Sequence, residues 1–180
     1  MKNSIILALI FAGLLYSSCN NAQNKTTKMK DVNEIAKLSE EQYEQEVAEV
    51  FINAHKGMID LLNDSKKIDA DFEKKLDNIF DNAAKQMIQY GKALDLKDSE
   101  TREAYSQGAL IKSYEELDKL DKKYNADAEL LLEKREPEFA AYASQSLKQI
   151  FNGMYALHTF LDVERVKTEM PEMAKRFGVK

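Results

Sequence analysis

The sequence predicts an all-α protein: an antiparallel bundle of about four long helices with one or two short extra helices. Three observations carry this. Apolar residues recur at three- and four-residue spacing along most of the chain, the period of a helix that buries one face. Alternating β-branched runs and Asn-Gly hairpin signals are missing. The periodic segments are joined by short polar connections, which set neighbouring helices antiparallel.

Taken in order, a short first helix starts at Asp31, whose spacing to Glu34 fits a capping box, and runs to about Leu38. In "LSEEQ", Ser39 is the N-cap of a long helix and Gln42 its box partner. That helix places Tyr43, Val47, Val50, Ala54, Met58 and Leu61 on one face, and "NDSKK" closes it. A second long helix runs to about Asp95, with Phe72, Leu76, Ile79, Ala83, Met87, Tyr90 and Leu94 on its inner side. "LKDSE" restarts the chain, and the third helix carries Leu110, Ser113, Leu117, Leu120 and Tyr124. Asn125 breaks it. The shorter "DAELLLEKRE" follows, then Pro137, which suits a first helical turn. The fourth long helix is expected from there to about Met170, with a seam of Ala143, Leu147, Ile150, Met154, Leu157 and Leu161. Pro171 begins a short tail.

The N-terminus has a different character. Lys2 precedes an apolar run from Ile5 to Leu15, followed by Ser17 and Ser18, the three regions of a secretory signal. The run is too short to cross a bilayer as a helix, which takes about 20 residues. A cut before Cys19 leaves small residues at the two nearest upstream positions. In this the segment resembles a bacterial lipoprotein signal, and "SSCNN" is similar to the looser lipoboxes of Bacteroidota-type lipoproteins. Tyr16 departs from the aliphatic residue usual at the third upstream position. The resemblance implies a lipid on Cys19, the sole cysteine of the chain, and hence a membrane anchor. It extends over residues 1–19 only. A plain secreted protein with a free thiol is the alternative. The organisation expected is a signal peptide at 1–18, a flexible tether at 19–30 and a helical domain at 31–180. The residues after Cys19 lack the acidic run that often marks surface-exposed Bacteroidota lipoproteins, so an outer-membrane position facing the periplasm is the expected location.

Removing the signal leaves 162 residues with 25 basic and 31 acidic side chains, about one domain. No segment is basic enough for a nucleic-acid footprint. Residues 31–64 carry nine acids against Lys37 and Lys56, whereas residues 137–180 carry five acids against six bases. The acidic face either keeps the protein soluble or steers a basic partner, and Glu44, Glu46 and Glu49 are its candidate contacts.

Between Phe139 and Leu161, Lys148 is the only charged residue. Such a helix is either packed on most sides or presents Tyr142, Gln145, Asn152, Tyr155 and Thr159 to a partner protein or a pocket. Gly57, Gly91, Gly108 and Gly153 fall one in each long helix, which suggests close crossings or room for a ligand. His55, His158 and Asp162 are weak metal candidates. His158 and Asp162, four residues apart, share a helix face, yet neither His-Glu-x-x-His nor a haem-attachment motif is present. A structural role for each histidine is the simpler account. No nucleophile elbow, P-loop or dinucleotide glycine pattern occurs, so no catalytic residue is assigned and no cofactor is expected beyond the lipid.

"LSEEQ" is also similar to the L-T-x-x-Q motif of Spy/CpxP-like periplasmic chaperones, departing at its second residue. The leading expectation is a non-catalytic, membrane-tethered module that binds a protein: an envelope-complex component, or a toxin that it neutralises as an immunity protein. The rivals are a small-ligand or metal-binding bundle and a Spy/CpxP-like chaperone. A homodimer through an apolar bundle face is a further possibility.

Overall fold

The computed structural model describes residues 29–123, 137–138, 153–154 and 156–179, and among these the protein is all-α. A short α1 (Val32–Ile35) leads into three 25-residue helices, α2 (Glu40–Asp64), α3 (Ala70–Leu94) and α4 (Ser99–Lys123). At the C-terminal side lie a 3-10 turn (Leu157–Leu161), α5 (Val163–Glu169) and α6 (Pro171–Arg176). The signal segment, the tether up to residue 28, Asn125, the "DAELLLEKRE" helix and most of the fourth long helix lie outside the described residues.

The starts of α1 to α5 are each fixed by a side chain that satisfies backbone N–H groups left open at a helix N-terminus, whereas α6 opens on Pro171 without one. Asp31 accepts from Asn33 N at 2.8 Å while Glu34 accepts from Asp31 N at 3.3 Å, the expected capping box. Ser39 and Gln42 form the second box, at 3.3 and 3.1 Å. Asp69 accepts from the N–H groups of Asp71 and Phe72, both at 3.1 Å, at the head of α3. Asp98 accepts from Thr101 N at 2.9 Å and so opens α4.

Packing is organised around α3, which touches α1, α2, α4, the 3-10 turn and α5. Phe72, Leu76, Ala83, Met87, Tyr90 and Leu94 are buried as anticipated, but so are Phe80, Ala84, Ile88, Gly91 and Ala93. Two sides of α3 therefore face protein. One meets α2. The other meets the C-terminal elements, where Phe80, Phe160 and Phe177 pack edge to face or tilted with centroids 5.6–6.3 Å apart. Arg176 fastens α6 to α3 through Asp77 and, at 2.8 Å, Asp81.

Two expectations are corrected here. The helix expected to run to Met170 does not do so. The chain turns at Ala156, tightens into the 3-10 turn and opens at extended Asp162, which caps α5 by accepting from Arg165 N at 3.0 Å. Leu157, Phe160 and Leu161 are all buried, and their spacing serves a 3-10 turn as well as an α-helix. In α4 the buried stripe begins at Ala109, while Leu110 is 39 % exposed. Ser113 takes its expected place, its hydroxyl donating to Ala109 O at 2.7 Å, and Leu117 is buried with it.

The glycines divide into two kinds. A Cβ on Gly91 would stand 2.9 Å from the Leu161 carbonyl carbon and 2.9 Å from Val163 Cγ2, so glycine lets the 3-10 turn close onto α3. A Cβ on Gly57 would meet only Ile79, at 3.5 Å, an ordinary contact. Gly91→Ala should therefore cost about 1–3 kcal/mol through overpacking. Gly57→Ala should be neutral or stabilise by up to about 1 kcal/mol through helix propensity. Urea unfolding of the two variants beside the wild type checks the contrast, and equal midpoints would refute it.

Candidate functional site

Helices α2 and α3 leave a groove between them on one side, with a cavity volume of about 430 Å³. Its two rims are polar and run side by side. Glu46, Glu49 and Asn53 recur at helical spacing along α2, and Asn82, Gln86 and Gln89 along α3. Between them Val50, Ala54, Gly57, Ile79 and Ala83 make a floor of mostly small apolar side chains. Along α2 the lining of the groove spans from Glu46 to Gly57, about 16 Å at a helical rise of about 1.5 Å per residue. At the Glu46 end, Met29 and Lys30, the first described residues of the chain, line the groove. A second, more open depression continues from there along Asp31, Val32, Glu34 and Gln89.

Glu46 is the best-defined polar group of the groove. Tyr90 O–H donates to its Oε2 at 2.7 Å, and the Lys30 ammonium pairs with its Oε1. Behind it Tyr43, fully buried, donates to Tyr90 O at 3.3 Å and packs against the rings of Tyr90 and Tyr105 at 5.5 and 5.4 Å. Burial first, and the neighbouring carboxylate second, raise the Tyr90 hydroxyl far above its usual range, so it stays a donor. Glu49 is exposed and accepts from Gln45 Nε2 at 3.2 Å.

Glu44 does not join these two. It lies against the backbone of α4 at Gly108, where an added Cβ would strike its carboxylate, and burial together with Glu40 raises its carboxyl above the ordinary value. The helix itself explains the split: at about 100° per residue, positions 44 and 46 stand about 160° apart, whereas 46 and 49 are about 60° apart. Of the residues expected on the fourth helix, Tyr142, Gln145, Asn152 and Tyr155 lie outside the described residues, as does Cys19. Thr159 is half-buried in the 3-10 turn and donates to Ala156 O at 2.7 Å.

The two histidines do meet, on one aromatic ring. His55 and His158 lie 4.2 and 4.4 Å from the Phe51 centroid, and Tyr114 stands 5.8 Å from both Phe51 and His158. The His55 Nδ1–H donates to Phe51 O at 2.8 Å. Among the described residues His158 has no hydrogen-bond partner on either ring nitrogen. Asp162 is not with them, because the chain leaves helical geometry between positions 158 and 162, and it serves as the cap of α5. Among the described residues no group of three or more His, Cys, Asp or Glu side chains converges as a metal site, and no helix is long and apolar enough to cross a membrane.

No protein-family model matches this chain, and no curated protein or solved structure matches it either. Its functional reading therefore rests on the groove and the sequence.

Burial lowers both imidazoles to a pKa of about 4, His158 also through the nearby His55. The ordinary value is about 6.5. Between those limits the unfolded chain binds protons that the folded chain refuses, so stability is full above pH 6.5 and declines as pH falls toward 4. Urea titrations at pH 7.0, 5.5 and 4.5 should show this loss, and His158→Phe should make it shallower. A variant with an unchanged slope would count against the burial argument.

Proposed function

We propose that this protein is a non-catalytic helical binding module, anchored by a lipid on Cys19 to the periplasmic face of an outer membrane, that holds a partner protein in the groove between α2 and α3. The groove carries the proposal: two parallel polar rims over a small-residue floor, open on one side and next to the end of the tether. Protein interfaces favour such a mixture of hydrogen-bonding edges and apolar centre. The acid excess of residues 31–64 adds attraction for a basic partner. That partner is an envelope-complex component, or a toxin that the chain neutralises.

The anchor follows from the N-terminal sequence. Several acyl chains on one cysteine hold a protein firmly, because each buried methylene contributes about 0.8 kcal/mol. The eleven residues from Asn20 to Lys30 reach at most about 35–40 Å from the bilayer. A groove at the end of that tether meets partners close to the membrane.

Native mass spectrometry of the full chain, extracted gently from its own membranes, tests both halves. The expected mass begins at Cys19 and includes acyl chains; an unmodified thiol would refute the anchor. A stoichiometric protein companion is expected with the wild type and not with Gly57→Leu, which fills the groove floor. A companion that persists with Gly57→Leu, at an unchanged melting temperature, would remove the groove from the reading.

A further inference from the structure

We propose that the groove takes an extended, lysine-bearing peptide segment of the partner, and that Lys30 of the chain's own tether occupies the ammonium position until that segment displaces it. The inference rests on the binding reading above and adds the chemistry of what is bound.

Three features of the groove point to this ligand. The first is the cavity: about 430 Å³ over a floor of Val50, Ala54, Gly57, Ile79 and Ala83. A length of about 16 Å matches roughly five extended residues. The second is the rims. Four of their six side chains, Asn53, Asn82, Gln86 and Gln89, are carboxamides. A carboxamide both donates and accepts, as a peptide group does, so the carboxamide edge on α3 can bond a main chain without reading its side chains. The third is the end of the groove, where the α2 rim changes from Asn53 to the carboxylates Glu49 and Glu46.

At that end an ammonium is already in place. Lys30 Nζ pairs with Glu46 Oε1, although the two residues are sixteen apart and belong to different segments. Among the described residues that line the groove, Lys30 is the only cation. The pair is weak enough to exchange, since Lys30 remains 46 % exposed and Glu46 22 %. A lysine arriving on a peptide that also bonds the carboxamide rims brings several contacts where Lys30 brings one. Glu46 meanwhile keeps its geometry, because Tyr90 O–H holds the other carboxylate oxygen at 2.7 Å. Displacement also frees residues 29 and 30, so occupancy of the groove lengthens the usable tether.

The test is calorimetric titration of the full-length, detergent-extracted protein with the capped peptide Ala-Ala-Lys-Ala-Ala and its norleucine analogue. The lysine peptide should bind and the norleucine peptide should bind roughly tenfold more weakly, the worth of a charge-assisted contact. Lys30→Met should tighten the lysine peptide by about two- to fivefold by removing the competitor. Glu46→Gln should weaken it roughly tenfold while still accepting from Tyr90, its unchanged melting curve showing that the fold is intact. Equal binding of the two peptides overturns the inference, as does a Lys30→Met variant that binds no better. Lysine-peptide binding that survives Glu46→Gln shows diffuse charge attraction only and overturns it too. If no peptide binds while Gly57→Leu still abolishes the protein companion, the lysine chemistry falls and the groove reading stands.

Discussion

The arrangement of this protein depends on α3 having two buried sides. A helix with one apolar stripe needs a single neighbour, but α3 carries Phe72, Leu76, Ala83, Met87 and Leu94 toward α2 while Phe80, Ile88 and Gly91 are buried as well. The C-terminal elements answer that second demand. Leu157, Phe160, Leu161 and Val163 are buried, and the chain comes close enough that the Leu161 carbonyl lies against Gly91. A continuous α-helix through this region would keep its carbonyls within its own hydrogen bonds and its side chains between the two backbones. The 3-10 turn followed by extended Asp162 brings the backbone itself to α3.

This anchoring of α3 from behind leaves α2 to be held by α3 and α4, and that in turn creates the groove. On its α4 side α2 packs closely, with Glu44 lying on Gly108. Toward α3 it meets large side chains at its N-terminal half, where Tyr43 stacks with Tyr90, and small ones around Ala54 and Gly57. Small residues at a crossing usually draw two backbones together. Here Gly57 sits at ordinary distance from Ile79, and its missing side chain becomes depth in the groove. Carboxylates and a carboxamide then line the α2 edge and carboxamides the α3 edge.

Much of this was legible in the residues. The boxes at Asp31–Glu34 and Ser39–Gln42 encode helix starts locally, because a cap bonds within three residues of itself. Large apolar side chains at helical spacing marked the inner faces of α2 and α3, since burial selects for size. In α4 the same rule picked Leu110 over Ala109, where close approach had selected a small residue. The fourth helix was expected to run on because Leu157 and Leu161 keep the four-residue spacing of an α-helix, while Leu157 and Phe160 keep the three-residue spacing that the 3-10 turn uses. Glu44, Glu46 and Glu49 read as one acidic face by composition, while their angular positions divide them between α4 and the groove. The carboxamide rim on α3 was silent for a deeper reason. Asn82, Gln86 and Gln89 look like any solvated helix face until α2 supplies the opposite edge.

The meeting of His55 and His158 on Phe51 shows the same limit from the other direction. Their types suggested ligands, yet their burial on an aromatic ring makes charging them costly and keeps both neutral at ordinary pH. A neutral imidazole in that setting contributes packing and, for His55, a bond to the turn before it. Glu46 presents the opposite case. It is a common surface residue made distinctive by what lies behind it: Tyr43 buried against Tyr90, Tyr90 bonded to the carboxylate, and the carboxylate turned into the groove. The buried tyrosine layer fixes the one direction in which the remaining carboxylate oxygen can act. The pairing with Lys30 follows from that direction, because Met29 and Lys30 line the groove at the point where a cation is wanted.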